Sequence, residues 1–297
     1  MKTLLHFLNP IAWFHAWIYA QQSAKFDKST FDLELYLYSK ILSNNMLHYG
    51  YFENTAVAPA TISLQQLEDA QVKYAQNIID EIKDTQNTVL DIGCGMGGLS
   101  SMIMDKKISV ECLTPNKNQV DFIRHTFPML NCHPCKFEDL QTDKKYGTLI
   151  NSESIQYISL DKAFEQADKL AMPNTRWIIV DYFRKNNDGI NKSSHLLADF
   201  LQKIESSKWQ LVLQRDITQN VLPTLRFANM YAERFLMPIK HFGYEKLRFK
   251  KPALYYMTSG MSEKIEQKIT KEKASIDPIK FENEKQYMFF VLERKAN

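Results

Sequence analysis

Ten consecutive residues, Val89-Leu90-Asp91-Ile92-Gly93-Cys94-Gly95-Met96-Gly97-Gly98, lead from an apolar run into glycines spaced Gly93-x-Gly95-x-x-Gly98. Glycines at this spacing let the chain turn sharply and let a ligand lie against bare main chain where a helix begins. The segment predicts a strand, a tight turn and a helix, with a nucleotide-like ligand at the turn. Asp91 stands two residues before the first glycine. A carboxylate there is a poor neighbour for a pyrophosphate seated on a helix N-terminus and a good one for a ligand bearing an ammonium and a sulfonium. The next strand closes on Leu113-Thr114. No acid follows about twenty residues past the turn, where a dinucleotide site binds its ribose, and Glu111 lies earlier in the strand. These residues favour S-adenosyl-L-methionine over a nicotinamide dinucleotide, with Asp91, Gly93, Cys94 and Gly95 as contacts.

The elements needed to position this turn are readable around it. Ser63 and Gln66 have capping-box spacing, and Leu67, Ala70, Tyr74, Ile78 and Ile82 recur at helical period, predicting a helix over 63–83. Short apolar runs predict strands at 88–92, 108–114, 147–151 and 176–182, with helices at 97–105, 116–126 and 161–171 between them. Residues 209–215 read as a sixth strand and 286–293 as a seventh, separated by helical periodicity over 221–240 and 260–273. The expected fold is α/β: a doubly wound, mostly parallel, seven-stranded Rossmann-like sheet with N-terminal helices and a helical cap inserted before the last strand. The expected division is a helical lead and cofactor lid over 1–62, a cofactor-binding core over 63–220, a substrate cap over 221–283 and a last core strand over 284–297.

With the turn and its setting in place, the chain resembles class I S-adenosylmethionine-dependent methyltransferases. Within them it resembles the branch that holds cyclopropane fatty acid synthases and the tocopherol and sterol methyltransferases. The resemblance runs over about residues 40–185. Leu47-His48-Tyr49-Gly50-Tyr51-Phe52 looks like the branch's H-x-G-Y segment, and Leu113-Thr114-Pro115-Asn116-Lys117-Asn118-Gln119 like its T-L-S-x-x-Q segment. Phe137-Glu138-Asp139 resembles the adenine-binding loop, and Asn151-Ser152-Glu153-Ser154 the segment that faces the transferable methyl. The resemblance implies cofactor contacts at Tyr49, Gly50, Thr114, Gln119, Glu138, Asp139 and Asn151. It also implies a role for Glu153, His48 and Tyr157, with Tyr182 a further candidate, in aligning the acceptor or taking its proton.

The chain departs from cyclopropane synthases where their bicarbonate is held. Tyr49 stands in place of a cysteine and Gln156 in place of a glutamate. The expected reaction is therefore methyl transfer, with carbon slightly favoured, to a small apolar acceptor such as a lipid, isoprenoid, polyketide or aromatic metabolite. The alternatives are cyclopropane-type modification of unsaturated acyl chains and a non-catalytic cofactor-binding subunit. Residues 222–257 are rich in Phe, Tyr, Leu and Met, which suit either an adaptable pocket or plain core.

Composition bounds these readings. The chain has 297 residues, 44% of them hydrophobic, which is enough for one generous core, and a net charge of +3, too small for a nucleic-acid footprint. All four cysteines, Cys94, Cys112, Cys132 and Cys135, read as free cytosolic thiols. Cys132-His133-Pro134-Cys135 has redox or zinc spacing, yet no second pair completes four ligands, so no metal is expected. Residues 3–24 lack Lys, Arg, Asp and Glu, but interleave aromatic rings with His, Asn and Gln. That mixture suits a pocket lid or transient membrane contact rather than a span. The expected location is cytoplasmic, with membrane association as the second reading of this segment.

Overall fold

The computed structural model describes residues 9–22, 40–187, 194–252, 255–256 and 276–295. The predicted helix over 260–273 lies outside them. Seven strands form one sheet: β1 (Val89–Ile92), β2 (Val110–Leu113), β3 (Asn131–His133), β4 (Tyr146–Ser152), β5 (Ala171–Arg184), β6 (Trp209–Asp216) and β7 (Lys285–Arg294). Their order is β3-β2-β1-β4-β5-β7-β6. β1 to β5 pair in parallel, and β7 runs antiparallel between β5 and β6. Several elements, among them β3 and the helices Leu197–Glu205 and Pro278–Glu284, have no counterpart in the sequence reading. β3 has only three residues, too few for an apolar run to register, and the helix Leu197–Glu205 is short.

Parallel strands buried on both faces need apolar residues at nearly every position. Leu90, Leu149, Trp177 and Ile179 point to one side, where Phe164 and Ala167 of the helix Leu160–Leu170 and Phe200 of Leu197–Glu205 cover them. Val89, Ile150, Ile178 and Val180 point to the other. There they meet Tyr74 and Ile78 of the helix Leu64–Ile79 and Leu99 and Ile103 of the helix Gly98–Asp105. The Ser63–Gln66 capping box is formed as its spacing predicts.

The helix Thr218–Tyr231 also joins that second face, burying Val221, Leu222 and Leu225. The first part of the expected cap is thus core. A π-helical turn, Ala232–Leu236, carries the chain into Met237–Lys250, in which no residue is buried. Near the N-terminus the helix Pro10–Gln22 exposes Ile11, Trp13, Phe14 and Trp17. No described helix is long and apolar enough to cross a membrane.

Candidate active site

The strand order reverses between β1 and β4, which lie side by side while their following connections diverge. In open α/β sheets the crevice at the carboxyl ends of such strands is where ligands bind. A cavity of about 460 Å³ opens there, within the size range of small-molecule sites. Its walls come from residues 45–48, the glycine turn, the end of β2 with Thr114 and Gln119, residues 136–138, residues 152–154, and Tyr157 with Ile158.

The glycine turn is shaped by contact as well as by flexibility. Gly93 has φ +77°, and a Cβ there would lie 2.5 Å from the Cβ of Ser154. A Cβ on Gly98 would lie 2.7 Å from the carbonyl oxygen of Asn45. Neither position accepts a side chain, so the turn and the 44–48 segment close together over the end of β1. The helix Leu64–Ile79 fixes that segment from behind: the Gln71 side-chain amide donates to the His48 carbonyl at 2.7 Å, and Asn44 donates to Gln71 at 3.0 Å.

Ten of the fourteen residues expected at the site line this cavity: His48, Asp91, Gly93, Cys94, Gly95, Thr114, Gln119, Glu138, Glu153 and Tyr157. Tyr49, Gly50, Asp139 and Asn151 do not. Asn151 is buried in the sheet, accepting from the Trp177 indole and donating to Ser154, both at 2.8 Å. Gly50 donates its N–H to Thr224 at 3.0 Å. Asp139 is exposed on a 3₁₀ turn. The Tyr49 ring packs against Phe281 and Tyr287. Tyr182 likewise lies behind the wall, under the Lys285 ammonium at 4.1 Å from its ring. Among the described residues, none from 218 to 256 lines the cavity.

Three carboxylates reach the walls, Asp91, Glu138 and Glu153, and two of them have raised pKa values. Asp91 is 1% exposed, and burial pushes its pKa up to about 6, although Ser100 donates to it at 2.6 Å. Glu153 is pushed up to about 7, again by burial, against hydrogen bonds from the Tyr287 hydroxyl at 2.5 Å and the Tyr49 N–H at 2.8 Å. Its φ of +53° is left-handed, a conformation that costs a residue with a side chain about 1–3 kcal/mol. The Glu153 N–H donates to the Val180 carbonyl at 2.8 Å, which ties this backbone to β5.

Tyr287 and Tyr74 are the functional neighbours that sequence reasoning missed. Their hydroxyls lie 3.0 Å apart, and Tyr74 also stacks on His48 with ring centroids 4.2 Å apart. Each reads in sequence as an ordinary apolar position of a helix or strand. His48 bonds through Nδ1 to the Tyr49 carbonyl at 2.8 Å, which makes Nδ1 the protonated nitrogen. Nε2 is then a lone-pair acceptor, buried and without a partner. Burial lowers the ring's pKa to about 4, so it is neutral at physiological pH.

A dinucleotide ribose would need an acid at the end of β2, and Glu111 is already taken. It accepts from Lys144 at 2.8 Å, from Tyr146 at 2.8 Å, and pairs with His133 at 3.0 Å. Burial alone would raise its pKa, but these bonds overcome it and hold the carboxyl at about 2. The groups that do reach the cavity at this point are Thr114 and Gln119, whose side chains bond each other at 2.6 Å.

Against known proteins, no family model matches the chain. A sterol 4-C-methyltransferase of Caenorhabditis elegans is 24% identical over 155 residues, 48% of this chain and 45% of that one. The chain thus matches a little under half the length of this curated relative. Among solved structures, the geranyl diphosphate C-methyltransferase of Streptomyces coelicolor, in complex with geranyl diphosphate and S-adenosyl-L-homocysteine, superposes with a TM-score of 0.62 at 16% identity, covering 91% of this chain and all of that one. The cyclopropane synthase MmaA2 of Mycobacterium tuberculosis gives 0.64 at 12% identity, over 89% and 95% of the two chains. The [4+2]-cyclase SpnF gives 0.64 at 14% identity, over 91% and 97%. The fold is the one these proteins share, and their names span more than one reaction.

Proposed function

We propose that the chain is an S-adenosyl-L-methionine-dependent methyltransferase acting on a small, largely apolar acceptor. The observation that carries this reading is the buried Asp91 carboxylate in the cavity wall, at the end of a strand whose neighbour offers Thr114 and Gln119 where a dinucleotide site would offer an acid. A cationic amino-acid ligand would return Asp91 to its charged form and recover the free energy that burial costs it. When bound, the cofactor supplies an electrophilic methyl on a sulfonium.

The chain's own residues would do the rest. Gly93 and Gly95 let a ligand approach the main chain. Thr114, Gln119 and Glu138 offer hydroxyl, amide and carboxylate partners to a nucleoside. In-line methyl transfer needs proximity and alignment more than acid or base strength. If the acceptor must lose a proton, Glu153, with a pKa near 7, is tuned to take it, and the free Nε2 of neutral His48 can accept a hydrogen bond from the acceptor. Tyr157, 79% exposed, stands at the mouth. The sterol- and isoprenoid-named relatives support an apolar acceptor, with carbon as the atom methylated. The exposed Trp13, Phe14 and Trp17 of the helix Pro10–Gln22 support transient contact of residues 3–24 with a membrane from which such an acceptor would be drawn.

Calorimetry with S-adenosylmethionine and with a nicotinamide dinucleotide is the first test: binding of the dinucleotide alone would overturn the reading. Incubation with methyl-labelled cofactor and a lipid extract is the second. A product heavier by one CH2 unit is expected, and cofactor binding with no labelled product would reduce the chain to a binding subunit.

A further inference from the structure

Cys94, Cys112 and Cys132 come from three separate segments, yet their sulfurs all lie within 4.8 Å of one another. The sheet register explains why. Cys112 on β2 and Cys132 on β3 are direct partners in a parallel pair, so their side chains leave the same face about 4.8 Å apart. Cys94 follows β1 into the glycine turn, where its N–H bonds to the Leu113 carbonyl at 3.2 Å and brings its side chain over the same strand end. Cys112 and Cys132 are buried beneath Val120 and Ile123 of the helix Lys117–Thr126, while Cys94 is half-buried and lines the cavity. The group therefore has a closed floor and one open side through which an ion could enter.

We infer that these three cysteines form a trithiolate site for a soft, three-coordinate metal ion, with copper(I) as the ion it fits. Three sulfurs bonded to one ion at about 2.3 Å stand about 4 Å from each other in a trigonal plane. The observed upper limit needs less than an ångström of closure to reach that geometry. Thiolate ligands select copper(I), zinc and iron–sulfur clusters. Zinc takes four ligands in structural sites, and among the described residues no fourth His, Cys, Asp or Glu joins the group. The neighbours that come nearest in the sheet are engaged elsewhere: Asp91, in register with Cys112, accepts from Ser100, and His133 is paired with Glu111. Loading displaces the thiol protons to solvent as the metal–sulfur bonds form, with no change of oxidation state. Cys135, the other half of the C-x-x-C spacing, packs against the opposite core and takes no part.

The test is an oxygen-free titration of the ligand-free full chain with copper(I), in competition with a chromogenic copper(I) chelator and with ascorbate present. One equivalent should be withheld from the chelator, and the melting temperature should rise with it. Cys132→Ser and Cys94→Ser should each weaken binding by more than the roughly 10–100-fold that losing a mere neighbour of a ligand costs, and Cys135→Ser should leave it unchanged. Cys94→Ser, at a half-buried position, guards against loss of fold, which circular dichroism monitors. No competition with the chelator, equal binding by Cys94→Ser and wild type, or preference for zinc with copper(I) excluded would each overturn the assignment. S-adenosylmethionine takes no part in the titration, so its outcome is independent of the proposed function.

Discussion

Asp91, buried, and Glu153, half-buried, are two carboxylates in the walls of one cavity, and they are held in opposite ways. Asp91 ends a regular strand and has one neutral donor, Ser100. Glu153 sits on left-handed backbone with two donors on one oxygen, one of them from the distant strand β7. The first is a buried carboxylate whose raised pKa comes from burial, with no special backbone geometry. The second is aimed, because strain and long-range hydrogen bonds fix where its oxygens point. Under the proposed function, the contrast fits ligand charge recognition by Asp91 and proton chemistry or acceptor alignment by Glu153.

Glu153→Gln should separate the two most strongly. It should lower methyl-transfer turnover by about 100-fold or more, while cofactor affinity by calorimetry changes far less; equal losses in both would erase the distinction. The same variant should be more stable than wild type in the absence of ligand. A carboxyl whose pKa rises on folding from 4.5 to about 7 stabilises the fold fully below pH 4.5, and that contribution is lost as pH rises through about 7. Thermal melts should therefore show Glu153→Gln gaining up to about 3 kcal/mol over wild type at pH 8, with the gain shrinking toward pH 5.

Asp91→Asn should weaken cofactor binding by about 10- to 100-fold, the worth of a charged hydrogen bond. Wild-type affinity should fall as pH drops below about 6, where Asp91 takes up its proton, and the Asn variant should show no such fall. Tyr287→Phe is the mildest change. It removes a donor that holds the Glu153 pKa down, so the rising limb of the pH–rate profile should move to higher pH, at a stability cost of about 1 kcal/mol. An unmoved limb would mean that Glu153 is not the group titrating.

The parts of this site that lie close together in sequence were legible before any coordinates. The strand-turn-helix around Gly93 and the Ser63 capping box depend on neighbours a few residues apart, and composition reveals them. Partners far apart in sequence were not. Tyr74 and Tyr287 are separated by 213 residues and meet only because β7 slots beside β5. Asn151 and Gly50 do not line the cavity. Both stand in motif-like segments, but one braces Trp177 inside the sheet and the other docks onto Thr224. The cysteine cluster was hidden for the same reason: strand pairing joins Cys132 to Cys112 and not to Cys135, its close neighbour in the chain.

The position of β7 has a consequence for how the sheet is completed. β7 follows β6 in sequence, yet it fills the slot between β5 and β6 and brings Tyr287 to Glu153. Without β7, the edge of β5 that it covers is unpaired, β6 has no strand to pair with, and Glu153 lacks its phenolic clasp. A variant lacking β7 should therefore be both sticky and inert.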